Sequence, residues 1–296
     1  MTQAGFVGVA GRPNVGKSTL VNAIVGARVA IVSERPQTTR RAIRGVATDV
    51  GAGWQLVMTD LPGVQRPRDA LTERMQRRVE REIADSDAVL FVINGEQGVG
   101  PGDRFISKAL IGANSDTPVV CAVNKVDRLN NAETAAVLAA AAELEVDELF
   151  PVSARKGSGL EPLIDKLVEL VPEGPLLFPP EQRSDLPSEV LLAELIREQV
   201  LRRTRDELPH AVEVQVEEVA HREDGVVEVH AHVWAETESQ KAILIGSGGS
   251  MIKEIGTAAR TELERELGGR VFLDLQVRVR KRWRRDEGLL DRLGIE

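Results

Sequence analysis

The sequence predicts a two-domain α/β protein, in which a larger domain with a mostly parallel β-sheet is followed by a smaller α+β domain. Three observations carry this prediction. Over residues 1–171, short apolar runs of strand length alternate with helical segments, which is typical of a parallel sheet covered on both faces. A proline-rich segment then interrupts the pattern at 172–188. Residues 189–296 follow the order α-β-β-α-α-β.

Composition restricts the class of protein. The chain has 296 residues, of which 42% are hydrophobic and 28% charged, enough for two packed cores. We find no apolar run long enough for a membrane-spanning helix and no signal-peptide pattern, and we expect a cytoplasmic protein. A single cysteine, Cys121, excludes an internal disulfide and fits a reducing compartment. The net charge of −8 argues against a globally basic nucleic-acid binder.

The elements of the N-terminal domain follow from hydrophobic spacing. Leu71, Met75, Val79 and Ile83 recur in steps of four and predict an amphipathic helix over 70–84. Continuous apolar runs such as 88–93 and 118–124 predict buried strands. The other predicted strands are 5–10, 42–50 and 54–59, and the other predicted helices are 17–26, 102–112, 131–144 and 160–170.

The C-terminal domain alternates differently. Alternating apolar and polar residues predict strands at 212–219, 226–235 and 271–279. A helix is predicted over 188–205, and two further helical segments flank a cluster of glycines at 246–249. The five prolines of 172–188 predict an interdomain linker.

Residues 11–18 match the pattern G-x-x-x-x-G-K-[ST] between a predicted strand and a predicted helix. Glycines let the backbone wrap around a phosphate, and the helix N-terminus adds positive potential. Lys17 would supply charge to the β- and γ-phosphates, and the Ser18 hydroxyl can ligate Mg²⁺. The predicted phosphate-binding residues are Gly11, Asn14, Val15, Gly16, Lys17, Ser18 and Thr19.

Asp60 ends a predicted strand, where a carboxylate can hold the Mg²⁺ shell. Three residues later, Gly63 would let the backbone approach a γ-phosphate. Taken alone, this D-x-x-G pattern is equally typical of a β-turn.

A guanine-reading pattern follows the strand predicted at 118–124. The carboxylate of Asp127 can accept hydrogen bonds from the N1–H and the exocyclic amino group of guanine, a pair of donors that adenine lacks. Asn124 can tie loops together, and the stem of Lys125 can lie over the base. The backbone of Ser153 and Ala154 is predicted to offer N–H groups to guanine O6.

The glycine cluster lies between two helices of an α-β-β-α-α-β unit, which is the arrangement of a KH domain, whose G-x-x-G loop clamps a nucleic-acid backbone. An ordinary surface loop is the alternative. The loop lacks the usual Lys or Arg, so we expect RNA affinity to depend also on a basic segment that follows the last strand. Within that segment Trp283 is predicted to stack on a base, the alternative being a solvated strand end. The predicted RNA-binding residues are Gly246, Ser247, Gly248, Gly249, Lys253, Arg280, Lys281, Arg282 and Trp283.

In this order, the motifs resemble those of the translation-factor-like branch of small GTPases. With the linker and the C-terminal segment included, the chain resembles the Era family of bacterial GTPases from about Gly5 to Gly294. The resemblance implies a P-loop GTPase domain followed by a type II KH domain, with Mg²⁺ as cofactor and GTP or GDP as ligand. Residues 37–41, with the sequence Gln-Thr-Thr-Arg-Arg, match the effector-loop motif of the family, although residue types alone favour a polar solvent loop. The resemblance implies that Thr38 or Thr39, with Thr39 preferred, contacts Mg²⁺ and the γ-phosphate in the GTP state. The implied metal ligands are Ser18, Thr39 and Asp60, and the implied catalytic residues are Lys17, Thr39 and Asn14.

Val64 stands where Ras-like enzymes place a glutamine that orients water. The family shares an apolar residue there, and the resemblance implies slow intrinsic hydrolysis assisted by K⁺ near Asn14.

The resemblance further implies binding near the 3′ end of 16S ribosomal RNA and a role in maturation of the 30S subunit. We also expect a cytoplasmic monomer, and the resemblance leaves open peripheral association with the inner face of the cell membrane. One alternative is a GTPase whose second domain is a protein-interaction module, because residues 172–296 hold 18 basic against 25 acidic side chains. A metabolic NTPase or kinase is disfavoured, because it has no need to read guanine in this way.

Overall fold

A computed structural model describes residues 2–32, 39–63, 69–113, 117–204, 208–293 and 295. Within these ranges the chain forms a six-stranded sheet and a three-stranded sheet. We call the elements up to residue 170 the N-terminal unit and those from residue 188 onwards the C-terminal unit. Gln37, Thr38 and Val64, to which the sequence assigns roles, lie outside the described residues.

The sheet of the N-terminal unit is mostly parallel. β2 runs antiparallel to β3, and the other four pairings are parallel, in the order β2-β3-β1-β4-β5-β6. The strands β4 and β5 are buried along their whole length, as expected for central strands covered on both faces. The strands are β1 (Gln3–Ala10), β2 (Ile43–Asp49), β3 (Trp54–Asp60), β4 (Ala88–Asn94), β5 (Val119–Asn124) and β6 (Glu148–Val152).

Within the described ranges, five α-helices cover this sheet. The second of them has the predicted bounds, and its predicted apolar residues, from Leu71 to Ile83, are buried. It begins at a capping box in which the Asp69 side chain accepts a hydrogen bond from the Thr72 backbone N–H. The helices are α1 (Lys17–Val25), α2 (Ala70–Ala84), α3 (Pro101–Ala113), α4 (Asn131–Ala142) and α5 (Leu160–Leu170).

The sheet register gathers the sequence motifs at one edge. Val9 is paired with Asp60, and Asn124 is paired with both Asn94 and Val152. Because parallel strands end at the same side of a sheet, the loops after β1, β3, β5 and β6 meet there. Ligands bind at this edge in open α/β sheets.

The segment 172–188, predicted as a linker, is packed against the sheet. The Val46 N–H donates to the Arg183 carbonyl at 2.8 Å, and the Ser184 hydroxyl donates to the Arg44 carbonyl at 2.7 Å. The Gln55 side-chain oxygen accepts from the backbone N–H of Leu177 at 2.8 Å. These bonds fix the connecting segment against β2 and β3. The segment between the two units is therefore not a free linker.

The C-terminal unit has the predicted α-β-β-α-α-β order with two additional short helices, α7 and α10. Its sheet has the order β7-β8-β9, with β7 antiparallel and β9 parallel to β8. Val227, Val229 and Val233 on β8 are buried in a core that also contains residues of α6, α8 and α9. The elements are α6 (Ser188–Arg203), α7 (Leu208–Ala211), β7 (Glu213–His221), β8 (Val227–Ala235), α8 (Glu238–Ile245), α9 (Ser250–Leu267), β9 (Val271–Val279) and α10 (Glu287–Arg292).

An apolar cluster joins the two units. It combines Leu71 and Met75 of α2 with Trp234 of β8 and Trp283, and it continues into the residues from α10 onwards. Among the described residues, no helix has both the length and the apolar character needed to cross a lipid bilayer.

Candidate functional site

The phosphate-binding loop connects β1 to α1. Gly11 has φ +148° and Gly16 has φ +101°, values that favour glycine. A Cβ atom at Gly11 would lie 2.5 Å from the Val92 carbonyl oxygen, so a side chain does not fit there. Asn14 adopts the left-handed conformation at φ 64°, which asparagine tolerates better than most residues. The loop therefore has the backbone shape that a phosphate cradle needs.

Lys17 is buried at the first turn of α1. Its Nζ donates to the carbonyl oxygens of Gly11 and Arg12, each at 3.1 Å. Burial lowers the pKa of the Lys17 ammonium to about 8, although the charge of Asp60 opposes this shift. The ammonium is therefore already positioned in the loop where an anionic phosphate group would stabilise its charged form.

Three predicted metal ligands converge at the end of β3. The Ser18 hydroxyl donates to Asp60 Oδ2 at 2.6 Å, the Thr39 hydroxyl donates to the same oxygen at 3.1 Å, and the two hydroxyl oxygens are 3.1 Å apart. Burial raises the pKa of the Asp60 carboxyl, and Lys17 opposes this. The other oxygen, Oδ1, is buried and has no hydrogen-bond partner within the described ranges.

A compact set of hydroxyl and carboxylate oxygens with one unused buried oxygen fits Mg²⁺, which prefers hard oxygen ligands. The structure places Thr39, the preferred switch threonine, within this set. The alternative, Thr38, lies outside the described residues.

Gly63 lies against the phosphate-binding loop. A Cβ atom there would be 2.8 Å from Pro13 Cγ, so glycine allows the backbone after β3 to approach the loop closely. The approach of this backbone to a γ-phosphate stays a prediction.

The base end of the site is organised around Asn124. Its side-chain nitrogen donates to the Val15 carbonyl at 3.1 Å, and its side-chain oxygen accepts from the Ala154 N–H at 3.0 Å. The predicted tie between loops is thus confirmed. Lys125, with φ 69°, donates from Nζ to the Asn14 carbonyl at 2.9 Å, so its stem crosses from the base loop to the phosphate loop.

Asp127 is oriented by Ser153. The Ser153 hydroxyl donates to Asp127 Oδ1 at 2.7 Å, and this bond lowers the pKa of the Asp127 carboxyl. The backbone differs from the prediction, because the Ser153 N–H donates to the Ser158 carbonyl at 2.9 Å and the Ala154 N–H donates to Asn124. Both amides predicted for guanine O6 are therefore used within the protein, and Ser153 acts through its hydroxyl.

Seven of the predicted residues line one cleft of about 880 Å³, and Lys17, Ser18, Thr39 and Asp60 are not in its lining. Residues from the phosphate loop, the base loops and the end of α6 border it. The predicted residues among its lining are Asn14, Gly16, Thr19, Asn124, Lys125, Asp127 and Ala154.

The G-x-x-G loop forms a short 3-10 turn, Ser247–Gly249, between α8 and α9. Gly246, Gly248 and Gly249 all have positive φ, at 73°, 59° and 81°. Ser247 and Gly248 are exposed, as is Lys253 one turn into α9. The loop therefore presents its backbone at the beginning of a long helix, where N–H groups can face an anion.

Trp283 does not fit its predicted role. Its side chain is fully buried, and its indole N–H donates to the Ala211 carbonyl at 2.9 Å. A buried ring cannot stack on a base, so the stacking prediction is wrong for this conformation. Arg280 is also engaged, in an ion pair with Asp286 at 2.9 Å. Lys281 and Arg282 remain exposed.

Sequence reasoning gave no separate role to Arg40 and Arg41, which directly follow Thr39. Arg40 Nη1 donates to the Val212 carbonyl at 2.6 Å and pairs with Glu213 at 2.8 Å. Arg41 pairs with Glu194 and donates from Nε to the Leu293 carbonyl at 2.7 Å. Both arginines are buried between the two units. In the sequence, the pair of adjacent arginines was the feature that could have indicated a role for them. Their partners, however, lie more than 150 positions away along the chain.

The fold and the site define a P-loop GTPase with a C-terminal KH domain. A family described as 50S ribosome-binding GTPase matches residues 6–125, and a KH-domain family matches residues 207–284. The chain is 45% identical to GTPase Era of Mycobacterium bovis (strain BCG / Pasteur 1173P2), covering 99% of this chain and 98% of that protein. It is 44% identical to GTPase Era of Mycobacterium avium (strain 104), covering 99% of each. The chain belongs to the Era family of GTPases.

Two solved structures match over the full length. One is Era in complex with MgGDPNP and nucleotides 1506–1542 of 16S ribosomal RNA, with a TM-score of 0.94 and 33% identity, covering 100% of this chain and 99% of that one. The other is a variant of Aquifex aeolicus Era bound to GDP·AlF4-, with a TM-score of 0.94 and 34% identity, covering 99% of each chain. The resemblance inferred from sequence is confirmed, as is the fold class.

Proposed function

We propose that this chain is a GTP-driven switch that binds 16S ribosomal RNA near its 3′ end and acts in maturation of the 30S subunit. One observation carries the proposal: the chain matches, over its whole length, an Era structure that holds MgGDPNP and nucleotides 1506–1542 of 16S ribosomal RNA. The exposed G-x-x-G loop and the ordered nucleotide cleft are the two features that this activity requires.

In this proposal the phosphate loop holds the nucleotide and Lys17 places positive charge on the β- and γ-phosphates. Ser18, Thr39 and Asp60 hold Mg²⁺, which when bound neutralises charge on the phosphates during hydrolysis. Asp127, oriented by Ser153, selects guanine over adenine. The convergence of three side-chain oxygens at the end of β3 supports the metal assignment.

The switch runs through three consecutive residues. Thr39 faces the metal site, while Arg40 and Arg41 are buried against Glu213 and Glu194 of the C-terminal unit. Contacts to a γ-phosphate that hold Thr39 would therefore also hold the two arginines. Loss of that phosphate would release the segment, which is the order–disorder behaviour of GTPase switch loops.

RNA would contact the loop from Gly246 to Gly249 together with Lys253, Lys281 and Arg282. Arg280, which forms an ion pair with Asp286, adds positive charge to this surface. Trp283 is buried and anchors the segment instead of stacking on a base.

We also propose that the protein acts as a monomer in the cytoplasm. Peripheral association with the inner face of the cell membrane would rest on the same exposed basic side chains.

The direct test measures RNA affinity of the full chain with a non-hydrolysable GTP analogue at fixed salt. An oligomer with the 3′-terminal sequence of 16S ribosomal RNA is compared with a scrambled oligomer. Gly248→Asp places a negative charge in the loop and should weaken binding about tenfold or more. Gly225→Asp is the matched control, because Gly225 also has positive φ, at 78°, and open space around it, but it lies in a turn between β7 and β8.

Preference for the 3′-terminal sequence, lost in Gly248→Asp and retained in Gly225→Asp, would support the RNA clamp. Equal binding of both oligomers by all three proteins would contradict it. The C-terminal unit would then be better explained as a protein-interaction module.

A further inference from the structure

The C-terminal unit contributes residues to the nucleotide cleft. Leu201 and Arg202, near the end of α6, line the same cleft as Asn14, Lys125 and Asp127. The helix α6 belongs to the unit with the KH fold, whose proposed ligand is RNA. One wall of the nucleotide site is therefore built by a part of the chain with a different proposed ligand.

Defined contacts hold α6 at this position. The Val32 N–H donates to Glu198 Oε1 at 3.2 Å, and Arg28 pairs with the same carboxylate. Ile31 is buried in the hydrophobic core of the C-terminal unit. Arg28 also pairs with Glu262 of α9. The segment after α1 is thus joined to α6 by one ion pair and by a hydrogen bond from the Val32 N–H to the Glu198 carboxylate, to α9 by a second ion pair, and to the core of the C-terminal unit by apolar packing.

Arg202 is held in place by Glu198, but part of its guanidinium remains available for a ligand. Its Nη2 donates to Glu198 Oε1 at 3.0 Å, and half of its side chain, 51%, remains exposed. A guanidinium carries five N–H donors in a fixed plane, so one bond to Glu198 leaves others able to face the cleft. Glu198 itself is buried, with 1% of its side chain exposed, and fixes the arginine in place.

We propose that Arg202 is a nucleotide-binding residue supplied by the RNA-binding unit, and that it donates to an oxygen of the ribose–phosphate part of a guanine nucleotide. A guanidinium has no acceptor and therefore pairs with oxygen acceptors. Asp127 is proposed to bind the guanine edge, and Lys17 the β- and γ-phosphates. The ribose and the α-phosphate are therefore the parts of the nucleotide that remain for Arg202. The inference rests on the guanine-nucleotide site described above. Its consequence is that docking of α6 slows nucleotide release.

The test measures the dissociation constant and the release rate of GDP for the full chain, for Arg202→Gln and for Arg203→Gln. Arg203 is the matched control, because it is the next residue but pairs with Glu254 at 3.1 Å and with the Gln199 side chain at 3.0 Å. Arg202→Gln should raise the dissociation constant about tenfold, mainly through faster release, as expected for loss of a charged hydrogen bond. Arg203→Gln should stay within about twofold of the unchanged chain. Equal constants for the two variants would overturn the inference.

A second pair of variants separates direct contact from an effect through Glu198. When Arg202→Gln is added to Glu198→Gln, a further loss of GDP affinity is expected. No further loss with unchanged thermal stability of Arg202→Gln would support a direct contact that Glu198 positions, whereas no further loss with lowered thermal stability would overturn the inference, because Arg202 would then act only by holding Glu198 and α6 in place. Repeating the comparison with 2′-deoxy-GDP locates the contact: a loss that disappears places it on the 2′-hydroxyl, and a loss that persists places it on another oxygen of the ribose–phosphate part. Failure of the unchanged chain to bind GDP would instead overturn the nucleotide site itself.

Discussion

Asp127 is the side chain on which the choice of nucleotide depends. Its carboxylate is held by the Ser153 hydroxyl at 2.7 Å, and this bond lowers the pKa of the carboxyl, so the group is ionised at neutral pH. An ionised carboxylate only accepts hydrogen bonds, and guanine offers two adjacent donors. The residue spacing in the sequence predicted this carboxylate, but the hydroxyl that orients it comes from Ser153, directly after β6, and became evident only in the fold.

Asp127→Asn should therefore weaken GDP binding at least about a hundredfold, because the amide turns a donor toward the donors of guanine. Xanthosine diphosphate, which has an oxygen in place of the amino group, should bind the variant better than GDP does. Titration of both nucleotides checks this. Asp165→Asn, on the exposed side of α5, is the control and should leave both affinities unchanged. An Asp127→Asn protein that keeps its preference for GDP would refute the role of this carboxylate.

Asn14 occupies the left-handed conformation in the phosphate loop, beside the cleft. Following the family resemblance, we expect GTP hydrolysis to be slow and faster in K⁺ than in Na⁺, with the Asn14 side chain supplying an oxygen to the ion. Asn14→Ala should make the two rates equal. Steady-state phosphate release in buffers that differ only in the cation measures this effect. Equal rates in K⁺ and Na⁺ for the unchanged chain would exclude cation assistance.

Among the elements, those with a strong local pattern were predicted well. The bounds of α2 and β9 are the predicted ones, because four-residue and two-residue hydrophobic spacing directly reflect helix and strand geometry. The segment 172–188 and the chain after β9 were predicted less well. Their conformations depend on partners distant in sequence, such as Arg44 for Ser184 and α2 for Trp283, and local spacing carries no such information.

Trp283 anchors the C-terminal segment. It packs with Leu71, Met75 and Leu290, and the Arg40 guanidinium lies over its ring at 5.4 Å from the ring centre. Trp283→Ala should lower the free energy of unfolding by about 3–5 kcal/mol, as is typical for deletion of a buried tryptophan. Thermal unfolding together with limited proteolysis of the C-terminal segment measures this. Trp283→Phe, which keeps a buried ring, should lose clearly less, and an unchanged stability of Trp283→Ala would contradict the observed burial.

The outer face of the C-terminal sheet carries a charge arrangement that responds to pH. His230 contacts Asp274 at 3.3 Å and Glu228 at 3.0 Å, and the bond to Asp274 is the main cause that raises the pKa of the imidazole above its usual value. A raised pKa means that the protonated form stabilises the fold, so this contribution is present below about pH 6.5 and is lost as the pH rises through the raised pKa.

Unfolding free energies of the unchanged chain and of His230→Gln should therefore differ most near pH 6 and least near pH 9. Chemical denaturation across this range measures the difference. His221→Gln, at the exposed end of β7, controls for the loss of an imidazole as such. A His230→Gln difference that grows with rising pH would contradict the sign of the shift.

At the scale of the whole molecule, the two units meet through a buried charge cluster. Arg40 and Arg41 enter from the N-terminal unit, and Glu194, Arg197 and Glu213 line the C-terminal side. Burial alone would raise the pKa of the Glu213 carboxyl, but the guanidinium groups of Arg41, Arg40 and Arg197 lower it to about 2. Removing one member leaves another charge buried without its partner, which is strongly destabilising for the contact.

This cluster could not be predicted from the sequence. Each residue has an unremarkable neighbourhood along the chain, and the pairing arises only when the two units are docked. The motifs for phosphate, metal and guanine were predictable because each lies within a few residues. The link from Thr39 to the C-terminal unit depends on contacts that span most of the chain.

The central claim is that the segment from Thr39 to Arg41 couples the nucleotide to RNA binding. The most direct test measures the affinity of the full chain for the 3′-terminal 16S ribosomal RNA oligomer, first with a GTP analogue and then with GDP. The same ratio is measured for Glu213→Gln and for Glu218→Gln, an exposed position on the same strand. We predict binding at least about fivefold tighter with the analogue, a ratio near one in Glu213→Gln and an unchanged ratio in Glu218→Gln. Equal affinity with both nucleotides, or an unchanged ratio in Glu213→Gln, would contradict the account.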